Sequence, residues 1–328
     1  MQTIGKKCYS KTDGLTFYNA RKKILIMNDR KLSKPTIFIM VITLSSLWGL
    51  SFLFGKVLLR DLEPIQVLAS RWTISALFFA ALMLAGKLRI DFHKKRLPFL
   101  VAAALIEPCT YSLCEMYGLD MTSASVSSIF IATIPLAVLL SQLLFFHRRP
   151  TVLSVISICT AFGGVLICTV FSPQFSISGD MTGYVVLAGT VATGAAYAGV
   201  SAKAGEDYSP FEITAVMSFS GALWFDALNF IMGYGTATVT SYAGKPGMIA
   251  CVLILGLLCS SACYIMFNRL LSSMNPAIAN SIVANSVTAV GVISGIFILD
   301  DPAGLYTAIG LVLTIGGVLL SSKDMQSS

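Results

Sequence analysis

Charged residues are scarce in this sequence, and their scarcity excludes an ordinary water-soluble fold. Asp, Glu, Lys and Arg make up 12% of the 328 residues, whereas soluble domains usually carry about 25%. Hydrophobic residues make up 55%, and the mean hydropathy is +0.79. A helix needs about 20 apolar residues to cross a hydrocarbon core of about 30 Å, and such runs recur from end to end. The composition predicts a polytopic membrane protein, and the net charge of +7 then indicates topology rather than a nucleic-acid partner.

The motifs of several enzyme classes are also missing. There is no Gly-x-x-x-x-Gly-Lys-Ser/Thr loop, which excludes an ATP-driven pump within this chain, and neither His-Glu-x-x-His nor Gly-x-Ser-x-Gly occurs. The two histidines, His93 and His147, fall between apolar runs, and the eight cysteines include no Cys-x-x-Cys. We therefore expect no enzyme activity, no metal site and no cofactor.

Residues 1–34 are polar and basic and are predicted to form a disordered cytoplasmic tail. No cleavable signal is expected, because the first apolar run begins only at Thr36. Ten transmembrane helices are predicted after the tail, and residues 322–328 form a short cytoplasmic C-terminus. The predicted spans are 35–58, 64–86, 97–118, 122–146, 151–171, 180–202, 210–233, 246–268, 276–299 and 303–321.

The distribution of basic residues predicts the orientation, because Lys and Arg accumulate in cytoplasmic loops. With the tail inside, most of the 23 Lys and Arg residues lie on the cytoplasmic side, and only Lys56, Arg60 and Lys245 lie outside. Both termini are then cytoplasmic, and a cell (plasma) membrane location is expected.

The chain also predicts two related halves, 35–171 and 180–321. Segment 62–66 (LEPIQ) matches 208–212 (YSPFE), 162–166 (FGGVL) matches 315–319 (IGGVL), and the Ser/Thr-rich start of 122–146 has a weaker copy from Asn275. Five spans per half would make the second half enter the membrane from the opposite face. The predicted fold is therefore all-α, with two inverted five-helix repeats.

Several of these patterns together resemble a known family. Trp48-Gly49 lies in the first span, Arg71-Trp72 in the second, and a Tyr117-Gly-Leu-Asp-Met-Thr-Ser-Ala-Ser-Val sequence leads into the fourth. With Gly-Gly-Val-Leu in the fifth and tenth spans, they resemble the EamA-like transporters of the drug/metabolite transporter superfamily. The resemblance implies movement of small organic solutes, often export of amino acids or other metabolites.

Ionisable residues within predicted spans are costly and therefore indicate function. Glu107 lies near mid-membrane beside Pro108, and Tyr111 and Glu115 follow at successive i+4 positions on one helix face. Glu107 and Tyr111 are predicted to bind substrate or protons. Arg71 is predicted to form an intramembrane ion pair with Glu115, with Glu107 as the other candidate partner, and such a pair could be functional or a structural tie between helices.

Further candidates are a weaker acid and several neutral side chains. Asp226 is the weaker acid in the seventh span. Asn280 and Asn285 in the ninth span, and the aromatic residues Trp48, Tyr197 and Tyr264, are candidate substrate-binding residues. Each has an alternative explanation, because Asn also hydrogen-bonds between helices and aromatic rings also pack or anchor at interfaces.

The predicted function is a secondary or facilitative transporter that exports an amino-acid-like or related metabolite by alternating access around a central cavity. The expected partners are a small organic solute, the lipid bilayer and, through Glu107, protons. The alternative from another class is a non-transporting receptor or scaffold that binds a small amphipathic ligand. Flux in reconstituted vesicles distinguishes the two.

Overall fold

The computed structural model describes residues 32–121, 130–145, 151–171, 181–298 and 304–327, and these ranges contain helices and no strand. The prediction of an all-helical protein is therefore confirmed for the described residues. The Ser/Thr-rich start of the fourth predicted span, with Ser125 and Ser128, lies outside them. The helices are α1 (Lys34–Leu58), α2 (Pro64–Leu84), α3 (Leu97–Ala104, Leu105–Tyr111, Ser112–Met121), α4 (Ile134–Phe145), α5 (Val152–Val170), α6 (Met181–Ala204), α7 (Pro210–Ile231), α8 (Pro246–Leu253, Ile254–Ala262, Cys263–Ser273), α9 (Pro276–Ile298) and α10 (Leu305–Ser327), with a one-turn helix, Ala237–Thr240, before α8.

Five of these helices contain stretches that are long and apolar enough to cross a membrane. They are Lys34–Ser51, Pro64–Leu84, Leu97–Gly118, Met181–Ala204 and Pro246–Ser273, and shorter apolar helices cover Phe130–Ser141, Val152–Cys168 and Leu305–Leu320. Large apolar side chains also cover the outside of the bundle. Leu84, Leu223 and Phe230, for example, are 91%, 76% and 77% exposed. Such a surface suits a hydrocarbon environment.

The helices α2 and α7 begin with the same local structure. Each starts with a proline, Pro64 or Pro210, where the missing N–H is not needed. Each also has a capping box, in which the side chain of the third helical residue, Gln66 or Glu212, accepts a hydrogen bond from the backbone N–H of the cap residue. The matching segments 62–66 and 208–212 are thus also matched in structure.

The helices α5 and α10 pack antiparallel at very close range, through the second glycine of each Gly-Gly-Val-Leu segment. A methyl group on Gly164 would lie 2.5 Å from the backbone O of Gly310 and the N of Thr314. A methyl group on Gly317 would lie 2.6 Å from the N of Ala161 and the O of Ser157. Gly164 therefore contacts the residues three and seven positions before Gly317, and Gly317 contacts the residues three and seven positions before Gly164.

A similar reciprocal contact joins α2 and α7, which are also antiparallel. The hydroxyls of Ser75 and Ser218 lie 2.7 Å apart, and the Trp72 ring packs against Gly221. On the matching of 62–66 with 208–212, Trp72 corresponds to Ser218 and Ser75 corresponds to Gly221. Both helix pairs therefore place equivalent residues in equivalent contacts.

Contacts between loops establish which helix ends share a face of the bundle. Lys94, before α3, pairs with Glu212 at the start of α7, with 2.8 Å between Nζ and Oε1. Lys245, before α8, pairs with Asp61, before α2, at 3.3 Å. The α2–α3 and α6–α7 connections therefore lie on one face, which we call the Lys94 face, and the α1–α2 and α7–α8 connections lie on the opposite Lys245 face.

Candidate functional site

Glu107 lies in a π-helical segment at the middle of α3. The segment spans Leu105–Tyr111 and includes Pro108, which has no N–H to donate to the helix ladder. The backbone N–H of Ser112 donates to the carbonyl of Glu107 across the widened turn. Glu107 lies ten positions after Leu97, so its backbone is about 15 Å from the Lys94 end of α3. The sequence predicted a disturbed helix at Pro108, and the disturbance is a π segment.

Only one oxygen of the Glu107 carboxyl group has a hydrogen-bond partner among the described residues. Its side chain is 2% exposed, and its Oε1 accepts a hydrogen bond from the hydroxyl of Tyr264 on α8. Its Oε2 is buried and has no partner among the described residues, and the same holds for the indole Nε1 of Trp72. Buried polar atoms without partners are costly, so both atoms could form hydrogen bonds with a polar solute.

Three aromatic rings lie close to the ring of Tyr264. The ring centroids of Trp48 and Trp72 lie 5.1 Å and 5.7 Å from that of Tyr264, and Tyr197 lies 6.5 Å away. The Trp48 indole Nε1 donates to the backbone O of Cys259 at 3.1 Å, which fixes its ring against α8. The structure therefore brings Trp48, Tyr197 and Tyr264 together around Glu107.

Arg71 and Glu115 lie on the other side of Glu107, toward the Lys245 face. Arg71 Nε donates to Ser260 Oγ at 2.9 Å, and its guanidinium group lies 5.6 Å from the Trp72 ring centroid. Its terminal nitrogens form no hydrogen bond with any described residue. Glu115 accepts a hydrogen bond from the Tyr111 hydroxyl at 3.1 Å. Within the described ranges no carboxylate lies within 4.0 Å of Arg71, so the two predicted ion-pair residues are neighbours rather than a direct pair.

Arg71 nevertheless lies close enough to Glu107 and Glu115 for attraction through space. Arg71, Tyr111 and Glu115 are also only half-buried, although they lie deep within the bundle. Glu107 itself is buried. One positive and two acidic side chains therefore lie near one another inside the bundle.

A second polar layer lies between Glu107 and the Lys94 face. Asn268 Oδ1 accepts hydrogen bonds from Tyr197 at 2.5 Å and Ser201 at 2.7 Å, and its Nδ2 donates to Thr214 Oγ1 at 3.0 Å. Asn268, Ser201 and Thr214 are fully buried. This layer joins α6, α7 and α8 and closes the Lys94 side of the bundle.

The sequence reasoning missed Trp72, Ser260 and Asn268 as members of this region. Ser260, Tyr264 and Asn268 lie four residues apart on α8. That polar spacing in an apolar helix is the signal that could have identified Ser260 and Asn268. Trp72 carried no such signal, because a buried Trp in an apolar helix usually packs. Its unpartnered N–H is visible only in the structure.

The remaining predicted residues are Asn280, Asn285 and Asp226. Asn285 is buried and donates to the backbone O of Ser281 within α9, and Asn280, five positions earlier, is also buried. Asp226 is exposed on the outside of the α2–α7 pair and accepts a hydrogen bond from Thr73 at 2.7 Å. No hydrogen bond among the described residues joins these three residues to Glu107, and Asp226 lies on the outside of the bundle.

A groove of about 400 Å³ lies between α4 and α6. Its walls are apolar except for one threonine, and a methyl group on nearby Gly194 would lie 3.2 Å from the Tyr111 ring. The lining residues are Phe130, Thr133, Ala137, Ala188, Val191 and Ala192. The convergence of charged and polar groups, rather than this groove, defines the candidate site.

The fold and this site define a multi-pass membrane protein with a polar centre. The EamA-like transporter family matches residues 35–170 and again residues 181–323, and the chain belongs to that family. A relative from Bacillus subtilis (strain 168), named "Uncharacterized transporter YcxC", is 26% identical over 292 residues, which cover 88% of this chain and 93% of that protein.

Other similar proteins agree with this assignment. An "Uncharacterized transporter" of Archaeoglobus fulgidus is 24% identical over 273 residues, which cover 83% of this chain and 94% of that protein. A solved crystal structure superposes with a TM-score of 0.73 at 15% identity, and the match covers 88% of this chain and 99% of that one. At that identity the solved structure supports the fold alone.

Proposed function

We propose that this protein is a secondary transporter that moves a small, amino-acid-like solute through the centre of its helix bundle. One observation carries the proposal. Glu107 is almost fully buried at mid-depth, is held by Tyr264 from another helix, and keeps one oxygen without a partner among the described residues. A carboxyl group kept in that state is a binding group for a solute or a proton.

The charges around Glu107 favour a solute with two poles. The terminal nitrogens of Arg71 have no hydrogen-bond partner in the described part of the chain and can bind a carboxylate group of the solute. Glu107 and Glu115 can bind an ammonium group, and the rings of Trp48 and Tyr264 provide an apolar wall. An amino-acid-like zwitterion matches this arrangement better than a simple acid or a simple amine.

The proposed architecture is ten spans in two inverted repeats, 35–171 and 180–321. It is supported by the two matches to one family and by the reciprocal contacts of α5 with α10 and of α2 with α7. The helices α3 and α8 would then be equivalent, and both contain a π segment, Leu105–Tyr111 and Ile254–Ala262. Glu107 and Tyr264 would meet at the interface of the repeats, where alternating access places a substrate site.

We place the protein in the cell membrane with both termini in the cytoplasm, and we propose export without enzyme activity. The basic residues of the α2–α3 connection, Lys87, Arg89, Lys94, Lys95 and Arg96, favour a cytoplasmic Lys94 face. Residues 1–34 are proposed as a cytoplasmic tail, and residues 322–328 as the cytoplasmic C-terminus.

Counterflow in proteoliposomes tests the proposal. Purified protein is reconstituted into vesicles, which are loaded with each member of a metabolite panel that contains zwitterions, simple acids and simple amines. Exchange of the labelled compound is then measured. We expect exchange with zwitterions and a loss of about tenfold or more in Arg71→Gln, because a hydrogen bond to a charged group contributes about 1.5–3 kcal/mol.

Asp226→Asn is the matched control, because Asp226 lies outside the polar centre. It should exchange solute at the wild-type rate. The absence of exchange with every zwitterion in the panel, or equal exchange by wild type and Arg71→Gln, would contradict the proposal. Binding without exchange would favour the receptor alternative.

A further inference from the structure

The start of α7 is tied to the α2–α3 connection by an ion pair. Glu212 uses Oε2 to accept from the backbone N–H of Ser209, at 2.8 Å, and this bond caps the helix. Its Oε1 accepts from Lys94 Nζ, also at 2.8 Å, and Lys94 Nζ lies 4.5 Å from the Tyr208 ring centroid. One carboxylate thus both caps α7 and holds a residue of the first half of the chain.

The start of α2 is tied to the second half of the chain at the equivalent position. Gln66 uses Oε1 to accept from the backbone N–H of Glu63, at 2.9 Å, and this bond caps the helix. Its Nε2 donates to Thr238 Oγ1 at 3.0 Å, and Thr238 in turn donates to Asn229 Oδ1 at 3.0 Å. On both faces, therefore, one side chain caps its own helix and also bonds to the other half of the chain. That side chain is a carboxylate on the Lys94 face and an amide on the Lys245 face.

The two faces also differ in the charges that surround these residues. On the Lys94 face, Glu206 pairs with Arg96 and with Lys203, and Asp207 accepts from the backbone N–H of Arg96 at 3.0 Å. On the Lys245 face the ion pair found among the described residues is Lys245 with Asp61, with both side chains about half exposed. Networks of ion pairs stabilise more than single exposed pairs do.

The layer directly beneath the Lys94 face is closed. Ser201 and Asn268 are 0% exposed and bond to each other, and Gly205 packs against Ser272. A path from the Lys94 face to Glu107 has to open this layer, whose Thr214 lies two residues after Glu212 on α7. Movement of the start of α7 away from the α2–α3 connection would break the Lys94–Glu212 contact. On the Lys245 face, Ser70, one turn after Gln66, is already half-buried rather than fully buried.

We infer that Lys94 with Glu212 forms an ionic latch on one face, that Gln66 with Thr238 forms its neutral counterpart on the other, and that the charge difference holds the Lys94 face closed in the resting protein. The inference rests on the proposed alternating access. It adds which residues determine how often each face is open.

Glu212→Gln is the decisive variant, because it converts the ionic latch into the neutral kind while keeping the helix cap. Gln66 demonstrates that a glutamine at this position caps α2 in the same way. The reporter is Ser201→Cys, which lies beneath the latch and is labelled by a membrane-impermeant thiol reagent only when the Lys94 face opens. Ser70→Cys reports the other face in the same manner.

We expect Glu212→Gln to raise the labelling rate of Ser201→Cys about fivefold or more, since the loss of a stabilising contact changes such populations by that factor. Raising KCl from about 0.1 M to about 1 M shortens the Debye length from about 10 Å to about 3 Å. It should raise the same rate in the wild-type background and much less in Glu212→Gln. Lys245→Gln, the matched change on the other face, should not raise the Ser201→Cys rate.

Glu212→Gln without the reporter is the folding control. Unfolding would expose native thiols such as Cys109 and Cys263, which are buried, and would raise the background rate. If that occurs, Lys94→Gln, which leaves the α7 cap intact, decides the question. Equal Ser201→Cys rates with and without the Lys94–Glu212 charges would overturn the latch.

Labelling requires no transported solute, so the two proposals can fail separately. A labelling response without any counterflow keeps the latch and rejects transport. Counterflow without a labelling response keeps transport and rejects the latch.

Discussion

Glu107 combines deep burial with a carboxyl oxygen that has no partner among the described residues. A purely structural carboxyl group would be expected to satisfy both oxygens, because an unsatisfied buried group costs about 1–3 kcal/mol. Tyr264 satisfies one oxygen and belongs to a different helix. The pair therefore places a buried carboxyl group with one hydrogen-bonded oxygen at the junction between α3 and α8.

The first prediction concerns Glu107→Gln. An amide of the same shape can still accept from Tyr264 but cannot bind or release a proton, so we expect solute flux that no longer depends on pH. Flux into proteoliposomes at several pH values measures this, with insertion checked by the yield of folded protein. A pH profile identical to that of wild type would show that Glu107 does not carry the proton.

The second prediction concerns Glu206, which lies outside the membrane spans. The hydrogen bond from Lys203, together with the charges of Lys203 and Arg96, holds the pKa of Glu206 below its ordinary value of 4.5. Because the folded pKa is the lower one, the stabilisation is complete above about pH 4.5 and is lost as the pH falls through the lowered pKa.

Acidification below about pH 4.5 should therefore loosen the Lys94 face, while changes between about pH 6 and pH 8 should have no effect through Glu206. The labelling rate of Ser201→Cys, divided at each pH by that of the exposed Lys95→Cys to correct for the pH dependence of the thiolate fraction, measures this. The acid-induced part should shrink in Glu206→Gln, with Asp61→Asn as the matched control on the other face. An unaltered acid response in Glu206→Gln would contradict the assignment.

At this scale the sequence predicted residue types better than partners. Polar and aromatic side chains in apolar helices are costly or distinctive, and this pattern predicts the candidates Glu107, Tyr111, Trp48, Tyr197 and Tyr264. Their contacts join residues far apart in the chain, such as Glu107 with Tyr264, and depend on how helices pack. No local pattern encodes that packing.

At the scale of helices, the contact between α5 and α10 depends on glycines that no residue with a side chain can replace. The backbones approach so closely at Gly164 that any Cβ atom would overlap Gly310 and Thr314. Gly163, the preceding residue, has nothing within 4 Å of a Cβ position. Small residues at such crossings allow the close packing that stabilises membrane helices.

The third prediction uses this pair of glycines. Gly164→Ala should destabilise the protein by about 1–3 kcal/mol, because the added methyl group forces the helices apart. Gly163→Ala, the matched control, should be neutral or slightly stabilising, since alanine favours helix. Thermal unfolding in one detergent compares the two, and equal midpoints would contradict the close approach. Gly317→Ala against Gly316→Ala repeats the test on α10.

The π segments show where prediction from sequence ends at this scale. Pro108 indicated a disturbed α3, but the π segment of α8, Ile254–Ala262, contains no proline. There the hydroxyl of Ser261 donates to the backbone O of Gly256, five residues earlier, and Gly256 packs closely against Ile74 of α2. The widened turn is thus associated with contacts between helices, which hydrophobic periodicity does not register.

For the whole molecule, the sequence predicted where helices begin more reliably than how they are arranged. The starts of α2, α7, α8 and α9 coincide with Pro64, Pro210, Pro246 and Pro276, as predicted. The face to which each connection belongs follows from contacts such as Lys94–Glu212 and Lys245–Asp61, and those contacts require the packed bundle.

The fourth prediction concerns orientation, which two single-cysteine reporters can determine. Lys95 and Ala243 are exposed and lie on the Lys94 and Lys245 faces. We expect an impermeant maleimide to label Ala243→Cys in intact cells and Lys95→Cys only after permeabilisation, because basic connections remain in the cytoplasm during insertion.

Protein without either reporter gives the background from native thiols. Labelling of Lys95→Cys in intact cells would reverse the orientation and contradict the prediction. The outcome also identifies the side that the ionic latch closes. If Lys94 and Glu212 face the cytoplasm, the resting protein is closed to the cytoplasm, and an exporter must separate this pair each time it takes up solute. The cytoplasmic ionic strength would then influence the rate of loading but not the rate of release.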